Sequence, residues 1–211
     1  MKLTALLKFI KQRKHFGKQE AIVYTVEFQK RGLPHVHILL WVDQPNKPRT
    51  SEDVDKRISV EIPDKETNPE LYELVKKFHI HNPCGKKFPN APCMKNGKCS
   101  KGFPHAFSET TMLDKAGFPI YRRRNDGQFV EKNGVTLDNR WVVPYNVDLL
   151  QFFHAHIYVL VCCLDHSVKY LFKCITKGLD RTRAAITEVR VLQGNSTDEV
   201  VYDETKTLLG L

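Results

Sequence analysis

The segment Glu27-Phe28-Gln29-Lys30-Arg31-Gly32-Leu33-Pro34-His35-Val36-His37-Ile38-Leu39-Leu40-Trp41 restricts the local fold more than any other. Residues 21–28 are rich in Ile, Val, Tyr and Thr and predict a strand. Gly32 predicts the turn, and the apolar residues over 35–42 predict the returning strand. That run is nearly continuous, which predicts cover on both faces. Alternate residues of a strand point the same way, so His35 and His37 are placed to hold one metal ion together. If Gln29 pairs with His35, then Glu27 faces His37 and all four side chains lie on one sheet face. Glu27 or Gln29 would then add a hard oxygen ligand for Mg²⁺ or Mn²⁺. An isolated His-x-His is ordinarily half-buried structure. Here the polar partners at matching parity favour a metal.

The chain carries 33 Lys+Arg against 24 Asp+Glu, a formal charge of +9. An excess of this size favours a polyanionic partner. A metal beside a basic surface suggests phosphodiester chemistry. No apolar run is long enough to span a bilayer, so no membrane partner is expected. Residues 1–14 are amphipathic and basic and lack the apolar core and cleavage site of a signal peptide. An intracellular protein is therefore expected, and the six cysteines are read as reduced thiols or metal ligands.

Leu3, Leu6, Leu7 and Ile10 recur at helical spacing. Residues 43–57 are polar, carry Pro45 and Pro48, and predict a loop. Residues 69–79 predict a helix with Leu71, Leu74, Val75 and Phe78 as its stripe. Residues 114–146 are turn-rich and basic, residues 149–153 predict a short helix, and 155–163 a buried strand. Residues 167–177 predict a helix stopped by Gly178. From Thr187 onward a strand and a fragment are expected.

Two further groups of residues carry chemistry. Residues 79–108 form a small module with little periodicity, held by something other than an apolar core. Within it His81, Cys84, Cys93 and Cys99 fit a tetrahedral, structural Zn²⁺ site, with His79 and His105 as alternatives for the histidine. On the helix over 167–177, Tyr170, Lys173, Cys174 and Lys177 share one face, while Val168, Leu171, Phe172 and Ile175 face the core. A tyrosine with a pKa of about 10 is a poor nucleophile until lysines and a polarised phosphate favour the phenolate. An ordinary amphipathic surface helix shows the same spacing.

With these residues in view, the chain resembles the N-terminal, replication-initiator-like domain of Helitron transposases, often called helicase-like. The resemblance is carried by 28–41, by Pro92-Cys93-Met94-Lys95-Asn96-Gly97-Lys98-Cys99-Ser100-Lys101-Gly102-Phe103-Pro104, by Tyr121-Arg122-Arg123-Arg124, by Leu137-Asp138-Asn139-Arg140-Trp141-Val142-Val143-Pro144-Tyr145-Asn146, and by Lys169-Tyr170-Leu171-Phe172-Lys173. It implies an HUH-type nuclease domain over 1–211, with 79–108 as a zinc-binding insert. The implied fold is α+β, a central antiparallel sheet with packed helices. The implied reaction is cleavage of single-stranded DNA by tyrosine attack, leaving a 5′-phosphotyrosine and a free 3′-hydroxyl. His35 and His37 match the paired histidines, and Gln29, then Glu27, is the expected third ligand. Tyr170 matches the nucleophile, with Lys173 and Lys177 beside it. Arg122, Arg123, Arg124 and Arg140 are expected on the DNA strand, and a DNA substrate implies a nuclear protein.

Two departures qualify the resemblance. Helitron proteins usually carry two tyrosines one helical turn apart, and the second position is Cys174 here. The family's helicase domain, with its Gly-x-x-x-x-Gly-Lys-Ser/Thr loop, has no counterpart in these 211 residues, so ATP hydrolysis by that route is not expected. A degenerate, non-catalytic DNA-binding remnant of a transposon gene is the alternative these departures raise.

Overall fold

The computed structural model describes residues 2–13, 15–28, 34–114, 119–161 and 183–188. It is a mixed α/β structure with small antiparallel sheets and divides into two compact units, Met1–Lys47 with Leu164–Leu211, and Pro48–Cys163. No helix among the described residues is long and apolar enough to cross a membrane.

The first unit opens with α1 (Lys2–Arg13), whose Phe9 and Ile10 are buried. Strands β1 (Gln19–Phe28) and β2 (Pro34–Val42) form the expected hairpin. The Gln19 side chain donates to the Ile10 carbonyl and ties the strand's start to the helix. The register sets Val23 opposite Leu39, Thr25 opposite His37 and Glu27 opposite His35. This corrects the expected pairing of Gln29 with His35 by two residues. The observed register matches polar with polar and apolar with apolar, whereas the expected one would oppose Thr25 to Leu39. A slip of two residues keeps every side chain on its face, so the shared face of the histidines survives the correction.

A strand at Arg183–Glu188 pairs antiparallel with the other edge of β1, giving the order β2, β1 and this third strand. It overlaps the expected strand only at Thr187 and Glu188. In the described sheet β2 is therefore an edge strand. Residues 36–40 and Val42 are half-buried and His35 and Trp41 exposed, which corrects the expectation of cover on both faces.

The second unit is built on α2 (Ser51–Asp55) and α3 (Pro69–Phe78). The former replaces the loop expected over 43–57, where a 3₁₀ turn over Gln44–Asn46 also forms. Thr50 accepts from the Asp53 amide, and the Asp53 carboxylate accepts from the Thr50 amide. That reciprocal cap secures α2 despite its length. Along α3, Leu71, Tyr72, Leu74 and Val75 are buried against Ile58, Val60, Val130, Leu137, Val142, Tyr145 and Leu150.

The remaining strands are two hairpins inside the turn-rich region and one in the cysteine-rich segment. They are β3 (Met94–Lys95) with β4 (Lys98–Cys99), β5 (Met112–Leu113) with β6 (Pro119–Ile120), and β7 (Phe129–Lys132) with β8 (Val135–Asp138). A 3₁₀ turn (Asn139–Trp141) and α4 (Val147–Phe153) follow. Residues 154–161 alternate exposed and half-buried, with Val159 and Val161 packed on the core, but form no strand. Single anchors replace the expected ladder. His156 Nδ1 lies 2.7 Å from the Phe78 carbonyl, and the Val161 amide donates to the Tyr121 hydroxyl at 3.1 Å.

Candidate functional site

The cysteine-rich segment is seated by its two ends. The His81 amide donates to the Trp141 carbonyl (2.9 Å), and the His105 amide to the Arg140 carbonyl (3.0 Å). Both anchors lie on the 3₁₀ turn after β8, which in turn packs on the core. Between them the chain folds back so that His81, Cys84, Cys93 and Cys99 bring four donor atoms within 4.8 Å of one another. Gly85 follows Cys84 with φ +94°, a left-handed turn that other residues rarely adopt, and its amide meets Met94 Sδ at 3.3 Å. The turn between β3 and β4 is Asn96-Gly97, both at positive φ, which holds Cys99 opposite Met94.

The separations suit a tetrahedral ion. Zinc bonds of about 2.05 Å to nitrogen and about 2.3 Å to sulfur place those two donors roughly 3.5 Å apart at the tetrahedral angle. His81 Nε2 and Cys99 Sγ are 3.6 Å apart. The His81 ring is stacked on Phe103, with centroids 4.2 Å apart and planes 10° apart, which fixes its direction. Burial, then the charges of Lys101 and Lys132, lower its pKa and keep the imidazole neutral, the form that ligates.

The thiols show the cost of crowding. Burial and the neighbouring Cys93 and Cys99 push Cys84 up to about 12. Burial raises Cys93 as well. Burial also opposes ionisation of Cys99, but the Lys101 and Phe103 amides outweigh it and lower its pKa. A divalent cation is the counter-charge that allows all three to be thiolates. The cluster could thus hold a metal ion such as zinc.

His81 is the histidine whose donor atom converges with the three thiols. His79 is fully buried between Tyr145 and His156, at 5.3 and 4.9 Å between ring centroids. Its burial, then His156, lower its pKa to about 4. His105 packs edge-on to Phe103.

In the first unit, His35 is exposed and His37 half-buried, with ring centroids 5.3 Å apart. Directly opposed residues of an antiparallel pair share a face, so Glu27 and Thr25 belong to the face of the two histidines. Thr25 was not singled out in the sequence, although its parity is that of Glu27. It is fully buried, and among the described residues its hydroxyl has no hydrogen-bond partner.

Residues 1–40 match the family model of the Helitron helicase-like domain at the N-terminus. The match covers α1, β1 and the histidine pair of β2. The Helitron resemblance drawn from the sequence is therefore supported over that segment. No curated protein matches the chain.

Of the remaining Helitron expectations, Gln29, Tyr170, Lys173, Cys174 and Lys177 lie outside the described residues. The arginines are placed clearly. Arg123 is only 5% exposed and donates to the carbonyls of Asn139 (2.5 Å) and Val142 (2.8 Å). Arg124 binds Glu61 through Nε (2.8 Å) and Nη2 (2.7 Å). Arg122 pairs with Asp55 at 3.3 Å, and Arg140 with Asp138 at 2.7 Å while lying over the Phe107 ring. The triplet that reads as a basic patch thus has one internal member and two paired ones.

Proposed function

We propose that this chain is a single-strand DNA endonuclease and strand-transfer domain of the rolling-circle, Helitron transposase type. The observation that carries the reading is the family match ending on a strand that presents His35 and His37 on one face, with Glu27 opposite. Two imidazoles on one ion set their ring centres roughly 5 Å apart, given bonds of about 2.1 Å, and 5.3 Å agrees. The buried, unpartnered Thr25 hydroxyl on the same face also suits a polar ligand there. His35, His37 and Glu27 or Gln29 would hold Mg²⁺ or Mn²⁺, which when bound neutralises charge on the scissile phosphate.

Tyr170 supplies the nucleophile in this reading. Its oxygen bonds to phosphorus as the bond to the 3′ oxygen breaks, giving the 5′-phosphotyrosine and a 3′-hydroxyl. Lys173 and Lys177 balance charge in the transition state. The cysteine-rich module is a structural Zn²⁺ site, closed because all four positions come from protein. Arg122, Arg124 and Arg140, partly exposed, remain on the strand path, while Arg123 serves the interior. The overall domain is then a sheet with packed helices working on nuclear DNA.

The test is an end-labelled single strand incubated with the purified chain and Mn²⁺, resolved on a denaturing gel. A covalent species is expected with the wild type, and Tyr170→Phe should lose it while binding the strand nearly as well. An undiminished adduct in that variant would rule out Tyr170. Cys174 at the second tyrosine position favours one other reading, a non-catalytic DNA-binding remnant, and metal-dependent nicking excludes it.

A further inference from the structure

The cysteine-rich segment carries a charge pattern that metal binding does not require. Residues 79–108 contain Lys86, Lys87, Lys95, Lys98 and Lys101 and no aspartate or glutamate. All five lysines are exposed, and among the described residues none makes an ion pair. The arginines of the same unit behave differently, since Arg122, Arg124 and Arg140 each find a carboxylate. Three thiolates and one divalent cation leave a single negative charge, so the metal-loaded segment stays strongly basic.

Two of these lysines oppose one another. Lys95 pairs with Lys98 across the Asn96-Gly97 turn, and both side chains are exposed. Like charges directly opposite on an antiparallel pair destabilise it, a cost that the Asn96-Gly97 turn and the cysteines at the base of the hairpin offset. A carboxylate at either position would favour the hairpin. An anion lying between the two ammonium groups would relieve the same repulsion. Lys101 follows two residues after Cys99, so the metal site fixes the base of the hairpin on both strands. Beside the anchors of this segment, the rings of Phe103 and Trp141 lie within 17° of parallel, 6.5 Å between centroids, and both are half-buried. Aromatic rings partly open to solvent, together with lysines that make no ion pair among the described residues, suit single strands, which offer phosphates and unstacked bases together.

We propose that the Lys95–Lys98 hairpin tip, with Lys101, is a phosphate clamp for the backbone of single-stranded DNA. The choice of DNA rests on the function proposed above, whereas the clamp's need for a polyanion rests on the charge pattern alone.

The experiment uses the full chain loaded with zinc and a fluorescein-labelled oligothymidylate, with affinity followed by anisotropy across a salt series. Each phosphate contact on a single strand contributes about 0.7 to the slope of log K against log salt. The double variant Lys95→Gln/Lys98→Gln should lower that slope by about 1.4 with zinc content unchanged, and Lys101→Gln by about 0.7. Lys76→Gln/Lys77→Gln, an equal loss of charge on α3, should leave it unaltered. An unchanged slope in the hairpin variants, or an equal fall in the α3 variant, overturns the clamp. Tighter binding of the matching RNA strand overturns the assignment to DNA. Adduct formation is scored on the same samples. A lowered slope without any adduct in the wild type keeps the clamp and removes the nuclease; an adduct with an unchanged slope does the reverse.

Discussion

Arg123 shows how far a single residue can depart from its surroundings in the sequence. It is the middle of three arginines, yet its guanidinium is buried and bridges two main-chain carbonyls around the 3₁₀ turn. Burial lowers its pKa only to about 10, so it stays charged at neutral pH. Arg123→Ala strands two buried acceptors and should cost about 3 kcal/mol, read as a lowered midpoint in urea unfolding. The same substitution at Arg122, half-exposed, should stay within about 1 kcal/mol. Nothing local in Arg122-Arg123-Arg124 distinguishes the three. The distinction comes from Asn139 and Val142, whose proximity is a property of the fold. The face of Thr25 was legible from its parity with Glu27, but its place directly opposite His37 was not, because that depends on a register that Gly32 alone does not fix. The cluster of His81, Cys84, Cys93 and Cys99 was legible because soft donors at such short spacing favour converging on one ion.

At the scale of elements, the link between the Ser59–Ile62 segment and the arginine segment rests on a carboxylate. Glu61 accepts from the main chain and the guanidinium of Arg124, and lies 3.7 Å from Arg122. Burial favours its neutral form, but these partners outweigh burial and hold its pKa below the ordinary carboxylate range. A depressed folded-state pKa stabilises above the unfolded value, about 4.3, and that stabilisation is lost as pH falls through the folded value. Stability measured by urea midpoint should therefore drop on acidification below about pH 4.3, and Glu61→Gln should flatten that limb. A variant whose acid limb matches the wild type would remove Glu61 from the account. Elements were read from sequence with uneven success for similar reasons. The stripe of α3 announced itself through its period. In contrast, α2 was hidden by Pro45 and Pro48 although Thr50 and Asp53 spelled its cap. The extended segment after α4 has the composition of a strand but no partner strand among the described residues.

For the second unit as a whole, a segment whose four donors could hold a metal ion sits on a core that does not include it. The apolar cluster of the second unit draws on residues from Ile58 to Ile80 and from Tyr121 to Leu150, and none of its buried members lies between 81 and 120. Removing the metal with a chelator should expose Cys84, Cys93 and Cys99 to rapid alkylation and open 82–104 to proteolysis. The buried Tyr145 should keep its near-ultraviolet signal, since its hydroxyl donates to the Glu61 carbonyl inside the core. Loss of that signal together with thiol protection would show that core and module fold as one. The overall α/β character was legible from periodicity, whereas the division into two units was not, because the first joins sequence from both ends of the chain.

The turn that joins β3 to β4 has a consequence measured in days rather than in bonds. Asparagine followed by glycine is the pair most prone to lose its side-chain amide through attack by the next backbone nitrogen, and here it sits exposed at a tip. The product is an aspartyl or isoaspartyl residue, a new negative charge set between two ammonium groups. Spontaneous chemical ageing would therefore convert this tip from attracting anions to neutralising itself, and old preparations would differ from fresh ones at this one place.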